Sequence, residues 1–148
     1  MNQSVKLLLV VGLLALMLIV QRLSPDTDTR STTAPKGQPL AVGQVIEGKT
    51  DRVVDGDSLY LRGHKKQIRL WAVDAPETNE AGYNAARSQL ERLALGKHLR
   101  CQIQDIDKYG RTVARCEDKS GKDLNRAMLT SGTAQEYCRW SKNFYGYC

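Results

Sequence analysis

The chain has 148 residues, a formal net charge of +6 at pH 7 and 41% hydrophobic residues. Once an apolar N-terminal stretch and a polar linker are set aside, the part from Ala41 onward suffices for one small domain, which excludes several separate cores. In that part 18 Lys and Arg oppose 14 Asp and Glu, a balance of +4 that suits a polyanionic partner or a solvated basic surface.

Residues 1–23 are predicted to direct the chain to export. Lys6 precedes an unbroken apolar run over residues 7–20, which is shorter than the ~20 residues of a full membrane span. Its length is typical of the apolar region of a signal peptide. Because no small-residue cleavage site follows it, an uncleaved membrane anchor with Arg22 at its far end is favoured over a cleaved signal peptide. The domain is then secreted or faces the periplasm from the inner membrane. A buried core helix is disfavoured because residues 24–40 form a polar linker.

β-type residues dominate the first half of the domain. The segment from Gly48 to Leu61 predicts strands interrupted by Asp55-Gly56-Asp57, and residues 67–73 predict a further strand that ends before Pro76. Alternation along this strand places Arg69 on the face turned away from the core.

Two helices and a hairpin are predicted in the second half. Tyr83 to Leu95 is an amphipathic segment with apolar residues at helical spacing, and residues 123–130 form a second, shorter one. Between them, residues 99–104 and 112–117 are expected to pair as a hairpin. Element order alone is compatible with many small α+β domains.

The four cysteines fit an exported protein. Cys101 and Cys116 flank the predicted turn at residues 107–110 symmetrically, so a hairpin would place them opposite each other within bridging distance. Cys138 and Cys148 would then close a C-terminal loop. The alternative is four reduced thiols in small buried sites. Metal binding by these cysteines is disfavoured because they form no C-x-x-C pair.

Three polar motifs follow one another along the chain. They are Asp55-Gly56-Asp57, then Arg69 with Asp74-Ala75-Pro76-Glu77, and finally Asp107-Lys108-Tyr109-Gly110-Arg111. Each motif taken alone is an ordinary turn or helix cap. Together they supply clustered carboxylates and two guanidinium groups, the set that cleavage of a phosphodiester with a hard metal ion requires.

In order, residue type and spacing these motifs resemble the active-site motifs of the staphylococcal nuclease family, over residues 43–134. The resemblance implies a mainly β, α+β fold for residues 41–135, namely a five-stranded OB-fold Greek-key barrel with two helices. It also implies a calcium-dependent nuclease that hydrolyses DNA or RNA with low sequence specificity, and we expect a monomer. The alternatives are a non-catalytic nucleic-acid-binding module at the cell envelope and an anchored component that holds extracellular DNA.

The resemblance further implies three catalytic residues. Arg69 and Arg111 match the family arginines that contact the scissile phosphate, a role that suits the planar, two-pronged guanidinium group. Glu77 matches the glutamate that acts as general base or that positions the attacking water.

Metal and substrate contacts are implied in the same way. The carboxylates of Asp57 and Asp74 and the backbone carbonyl of Ala75 match the family's Ca²⁺ ligands, which are hard oxygen donors. The family has threonine where Ala75 stands, but a backbone ligand survives that change. Lys108 and Tyr109 are expected to contact the nucleic acid.

The C-terminal tail, residues 136–148, departs from the family pattern. It leaves no room for the family's third helix and carries aromatic residues closed by Cys138 and Cys148. The favoured hypothesis is that the tail covers the edge of the core that the missing helix would cover. The alternative is that its aromatic residues and Arg139 stack on the bases of single strands.

Overall fold

Five strands form a closed barrel in the computed structural model, which describes residues 39–148. These strands are β1 Val45–Val53, β2 Ser58–Leu61, β3 Ile68–Leu70, β5 His98–Ile106 and β6 Thr112–Asp118. Their order around the barrel is β1-β2-β3-β6-β5, with β3 and β6 parallel and the other neighbours antiparallel. The predicted five-stranded barrel is confirmed.

The predicted export segment and almost all of the predicted linker lie outside the described residues. Within residues 39–148, no helix has the length and apolar character needed to cross a membrane.

Alternating side chains explain why the barrel encloses a core. In β5 the inward-facing residues Leu99, Cys101 and Ile103 are fully buried, and the residues between them are not. The β5–β6 hairpin pairs Cys101 with Cys116, as its symmetry predicts, and the register shifts between Ile103 and Asp105. Both predicted disulfides, Cys101–Cys116 and Cys138–Cys148, are present.

The remaining elements lie outside the barrel. They are β4 Val73–Asp74, α1 Tyr83–Ala94, α2 Leu124–Thr130, β7 Gln135–Glu136 and α3 Cys138–Ser141. Both predicted helices are present. The Asp123 side chain caps α2 by accepting a hydrogen bond from the Arg126 backbone N–H at 2.9 Å. The strand predicted over residues 67–73 is divided into β3 and β4, and β4 pairs with β7 in a separate small sheet. Neither this sheet nor the one-turn helix α3 was predicted, because elements of two to four residues carry no periodic signal.

The tail covers one side of the core through its last residues. Tyr145 is buried, and the carboxylate of Glu136 accepts hydrogen bonds from the backbone N–H groups of Tyr145 at 3.0 Å and Tyr147 at 2.8 Å. Phe144 contacts Trp71 edge to face, with 5.2 Å between ring centroids. The packing hypothesis therefore describes this end of the tail.

Asn125 joins α2 to the barrel and gives a stability prediction. Its fully buried side chain accepts from the Cys116 N–H at 3.0 Å and donates to the carbonyls of Trp71 at 2.8 Å and Ala114 at 3.1 Å. Asn125→Ala leaves all three backbone groups without these bonds, so we expect it to lower the free energy of unfolding by about 3 kcal/mol. In thermal denaturation Asn84→Ala, an exposed change in α1, should have little effect. Equal midpoints for the two variants would contradict this role.

Candidate active site

The three motifs meet at one groove of about 760 Å³ beside the barrel. Among the residues that line it are six of the predicted site residues, namely Arg69, Asp74, Glu77, Lys108, Tyr109 and Arg111. Strand β3 and the β4 segment contribute one wall, and the β5–β6 turn contributes the other. Asp57 and Ala75 are buried next to this groove rather than in its lining.

Arg69 links two of the predicted metal ligands. Its Nη1 donates to Asp57 Oδ1 at 2.9 Å and its Nη2 donates to Asp74 Oδ1 at 3.4 Å. The Arg69 side chain is only 15% exposed. Each Nη carries a second N–H, so Arg69 can hold both carboxylates and still donate to a phosphate. Residues separated along the chain are thus fixed in one cluster.

Asp57 is a buried carboxylate in a confined position, with the residue 2% exposed. Besides Arg69, it accepts hydrogen bonds from Ser58 Oγ at 2.8 Å and from the Ala75 backbone N–H at 3.3 Å. Burial raises the pKa of Asp57 to about 7, and the Asp55 carboxylate adds to that rise although Arg69 opposes it. Its charge is therefore incompletely compensated by the protein.

Gly56 is needed in this turn because of close packing. A Cβ on Gly56 would lie 2.5 Å from the Cβ of Ala86 and 2.6 Å from the Cβ of Ala75. Any side chain on Gly56 would therefore push α1 and the segment that carries Ala75 away from this turn. The turn requires glycine for space.

The oxygen atoms at and around Asp57 suit a hard divalent cation as ligands. Carboxylate and carbonyl oxygens are the ligands that such ions prefer, and a cation would compensate the buried charge of Asp57. Asp57, Asp74 and the Ala75 carbonyl would hold it. No group of three His, Cys, Asp or Glu side chains within residues 39–148 is arranged to bind a metal, so water and substrate oxygens would have to complete the coordination of this set.

Arg111 is oriented by the turn that carries it. Asp107 Oδ1 accepts from the backbone N–H groups of Tyr109 and Arg111, both at 2.9 Å, and Oδ2 accepts from Arg111 Nε at 2.6 Å. Burial alone would raise the pKa of Asp107, but these hydrogen bonds outweigh it and hold that pKa below its ordinary value. Neither Nη of Arg111 has a hydrogen-bond partner in the described part of the chain, so both can bind phosphate.

Glu77 enters the groove as an exposed carboxylate. Its backbone N–H donates to the Glu80 side chain at 2.8 Å, which fixes the chain just after Pro76. Over residues 39–148 its own carboxylate forms no ion pair or side-chain hydrogen bond. A carboxylate in this state can accept a hydrogen bond from water.

Tyr109 stands at the tip of the β5–β6 turn and is 72% exposed. Lys108 Nζ lies 5.0 Å and Arg111 Cζ lies 5.4 Å from the centre of its ring. The two residues predicted to contact the substrate, Lys108 and Tyr109, therefore lie beside Arg111.

Two tail residues, Tyr137 and Trp140, also line the groove. They contact each other edge to face at 6.5 Å, and Trp140 is 60% exposed. The backbone N–H of Tyr137 donates to the Ala72 carbonyl at 2.9 Å, which attaches this part of the tail to the segment between β3 and β4. The sequence predicted that the aromatic tail either packs on the core or stacks on bases. It did not predict that one end of the tail packs on the core while the other end lines the groove.

The chain is similar in sequence to several known proteins. A family model described as "Staphylococcal nuclease homologue" matches residues 67–147, more than half of the chain. The chain is 31% identical over 104 residues to a succinoglycan biosynthesis protein, ExoI, of Rhizobium meliloti, covering 63% of this chain and 53% of that protein.

Two further relatives are named as nucleases. An uncharacterized endonuclease of Escherichia coli is 30% identical over 94 residues, covering 62% of this chain and 61% of its own length. A protein named micrococcal nuclease from Shigella flexneri is 28% identical over 106 residues, with 68% and 61% covered. The chain thus spans between about half and three fifths of the length of these three relatives.

Proposed function

The chain belongs to the staphylococcal nuclease family, and from this membership we propose that it is a hydrolase that cleaves phosphodiester bonds of nucleic acid. The observation that carries the proposal is the meeting of Arg69, Arg111 and Glu77 at one groove, beside the Asp57 and Asp74 carboxylates. The two guanidinium groups can bind the phosphate, and the Glu77 carboxylate, which has no ion-pair partner among the described residues, can activate the attacking water.

Each catalytic residue has a distinct part in the proposed reaction. The guanidinium groups of Arg69 and Arg111 bind the phosphate and stabilise the negative charge that grows on its oxygens in the transition state. Glu77 orients a water molecule or accepts its proton as the water oxygen attacks phosphorus. One ester P–O bond breaks, and the leaving oxygen takes up a proton to give an alcohol and a phosphate monoester.

We propose Ca²⁺ as the cofactor, held by Asp57, Asp74 and the Ala75 carbonyl, where it would supply Lewis-acid polarisation of the phosphate. The buried, incompletely compensated carboxylate of Asp57 supports a cation at this place. The oxygen-only donor set supports a hard ion.

DNA, RNA or both are the proposed substrates, and sequence specificity is expected to be low. The residues assigned to the substrate are mainly cationic, and phosphate contacts carry no base information. We further propose that the protein acts as an exported monomer, secreted or anchored by its N-terminal segment. Its two disulfides support an oxidising compartment.

The direct test of this proposal uses the purified full chain with single-stranded DNA, duplex DNA and RNA. We expect cleavage in Ca²⁺ and its loss in EGTA, with restoration when Ca²⁺ is added back. If the folded protein binds the substrates without cutting them in Ca²⁺, Mg²⁺ or Mn²⁺, the non-catalytic binding module replaces the enzyme.

Trp140→Ala tests whether the groove-lining end of the tail binds bases. Because Trp140 is largely exposed, we expect the thermal midpoint to change little, whereas KM for a single-stranded oligonucleotide should rise about 5- to 150-fold, as stacking on one base is worth ~1–3 kcal/mol. Tyr145→Ala is the matched change at the packed end and should lower the midpoint strongly. A large fall in thermal stability for Trp140→Ala with unchanged KM would instead assign this residue to packing.

A further inference from the structure

The groove itself offers little net attraction to a polyanion. Its charged lining residues are three basic and four acidic side chains, namely Arg69, Lys108, Arg111, Asp74, Glu77, Asp105 and Asp107. Both guanidinium groups are already ion-paired to aspartates. The positive charge that holds the rest of a nucleic-acid strand must therefore come from cations next to the groove.

Lys66 is such a cation. It lies two residues before β3, and the parallel pairing of Ile68 with Thr112 places it alongside the β5–β6 turn. The Thr112 N–H donates to the Gln67 carbonyl at 2.8 Å, which fixes the backbone next to Lys66. A Cβ built on Gly110 would lie 3.3 Å from Lys66 Nζ, so the ammonium group rests over the one residue of the turn that has no side chain.

This ammonium group is available for a ligand. Lys66 is exposed, and it forms no ion pair or side-chain hydrogen bond with any of residues 39–148. On the same turn, Lys108 and Arg111 flank the exposed ring of Tyr109. The turn therefore presents two cations, Lys108 and Arg111, and Lys66, from the segment before β3, adds a third over Gly110.

We propose that Lys66 binds a backbone phosphate of the substrate strand next to the phosphate held in the groove. This rests on the proposed nuclease function and narrows its substrate to a polynucleotide that runs across Gly110. A lysine ammonium suits this position because it acts as a point charge that accepts varied phosphate geometries. Lys66 lies outside all three sequence motifs.

The test measures binding of a labelled 12-nucleotide oligothymidylate to the full chain in Ca²⁺, with every protein carrying Glu77→Gln to prevent cleavage. Adding Lys66→Ala should weaken binding about 3- to 10-fold at low salt. It should also reduce the slope of log K against log salt by about 0.7, the value for one phosphate contact on a single strand. Lys66→Arg should restore both.

Lys119→Ala is the matched control. Lys119 is an exposed lysine that follows the last residue of β6, at the end of the strand opposite the β5–β6 turn. The seven residues of β6 separate it from that turn by about 20 Å. Lys119→Ala should leave the affinity for the oligonucleotide and the slope of log K against log salt unchanged. Equal losses for Lys66→Ala and Lys119→Ala, or none for either, would overturn the subsite. Cleavage by the wild-type chain, measured in parallel, separates the two ideas: an inactive wild type removes the nuclease proposal, whereas an active one with a silent Lys66→Ala removes the subsite alone.

Discussion

Glu77→Gln is expected to lower kcat for oligonucleotide cleavage by about 10²- to 10⁴-fold, the usual contribution of a positioned general base. The amide keeps the shape of the side chain but cannot accept a proton as a carboxylate does. KM should change little, because phosphate binding is assigned to the arginines. The measurement is steady-state cleavage of a fluorescent oligonucleotide in Ca²⁺.

The fold should tolerate this change. The Glu77 carboxylate is exposed and takes part in no ion pair within residues 39–148, so the thermal midpoint should match that of the wild type. Glu91→Gln is the control for loss of one partly exposed carboxylate, since Glu91 lies on α1 and, within residues 39–148, forms an ion pair only with Arg87, at 3.3 Å. A Glu77→Gln enzyme with at least half of the wild-type kcat would remove Glu77 from water activation.

Arg69→Ala is expected to reduce both stability and activity. The change leaves Asp57 buried without its cationic partner, and breaking such a pair costs about 3–5 kcal/mol. For a domain of this size that loss corresponds to a fall of more than about 10 °C in Tm. Removing a donor that stabilises developing charge should also lower kcat/KM by at least about 100-fold.

Arg69→Lys separates the two effects. Lysine keeps a positive charge near Asp57 but cannot bridge two carboxylates and a phosphate with a planar fork. We therefore expect a smaller fall in Tm, with kcat/KM still lowered by about 100-fold, as measured by thermal denaturation and oligonucleotide cleavage. Wild-type kcat/KM in Arg69→Lys would show that only the charge at this position is used.

Local patterns were sufficient to predict the strands and the disulfide Cys101–Cys116, whereas the barrel was implied by the resemblance to a known family. Alternation identified the strands, and the symmetry of Cys101 and Cys116 about the turn gave the hairpin register at that end. Closer to the turn the register shifts between Ile103 and Asp105. A bulge depends on how the strand must bend to close the barrel, which residue periodicity does not encode.

Contacts between distant segments could not be predicted in this way. Asn125 bonds to Trp71 across 54 residues of sequence, and Tyr145 binds Glu136 through the backbone. The motifs were correctly expected to share one site, because their resemblance to a known family supplied the long-range arrangement. Lys66 belongs to no motif, and only the parallel β3–β6 pairing brings it to Gly110.

The proposed phosphodiester cleavage is tested by comparing the wild-type full chain with Arg111→Ala on a quenched fluorescent oligonucleotide, in Ca²⁺ and in EGTA. Arg111 is held by Asp107 and presents both Nη groups without partners among the described residues, so its removal should abolish a phosphate contact without disturbing the barrel. We expect Ca²⁺-dependent cleavage by the wild type and at least about 100-fold slower cleavage by Arg111→Ala. Equal rates for the two proteins, or no cleavage by a folded wild type with any divalent cation, would contradict this expectation.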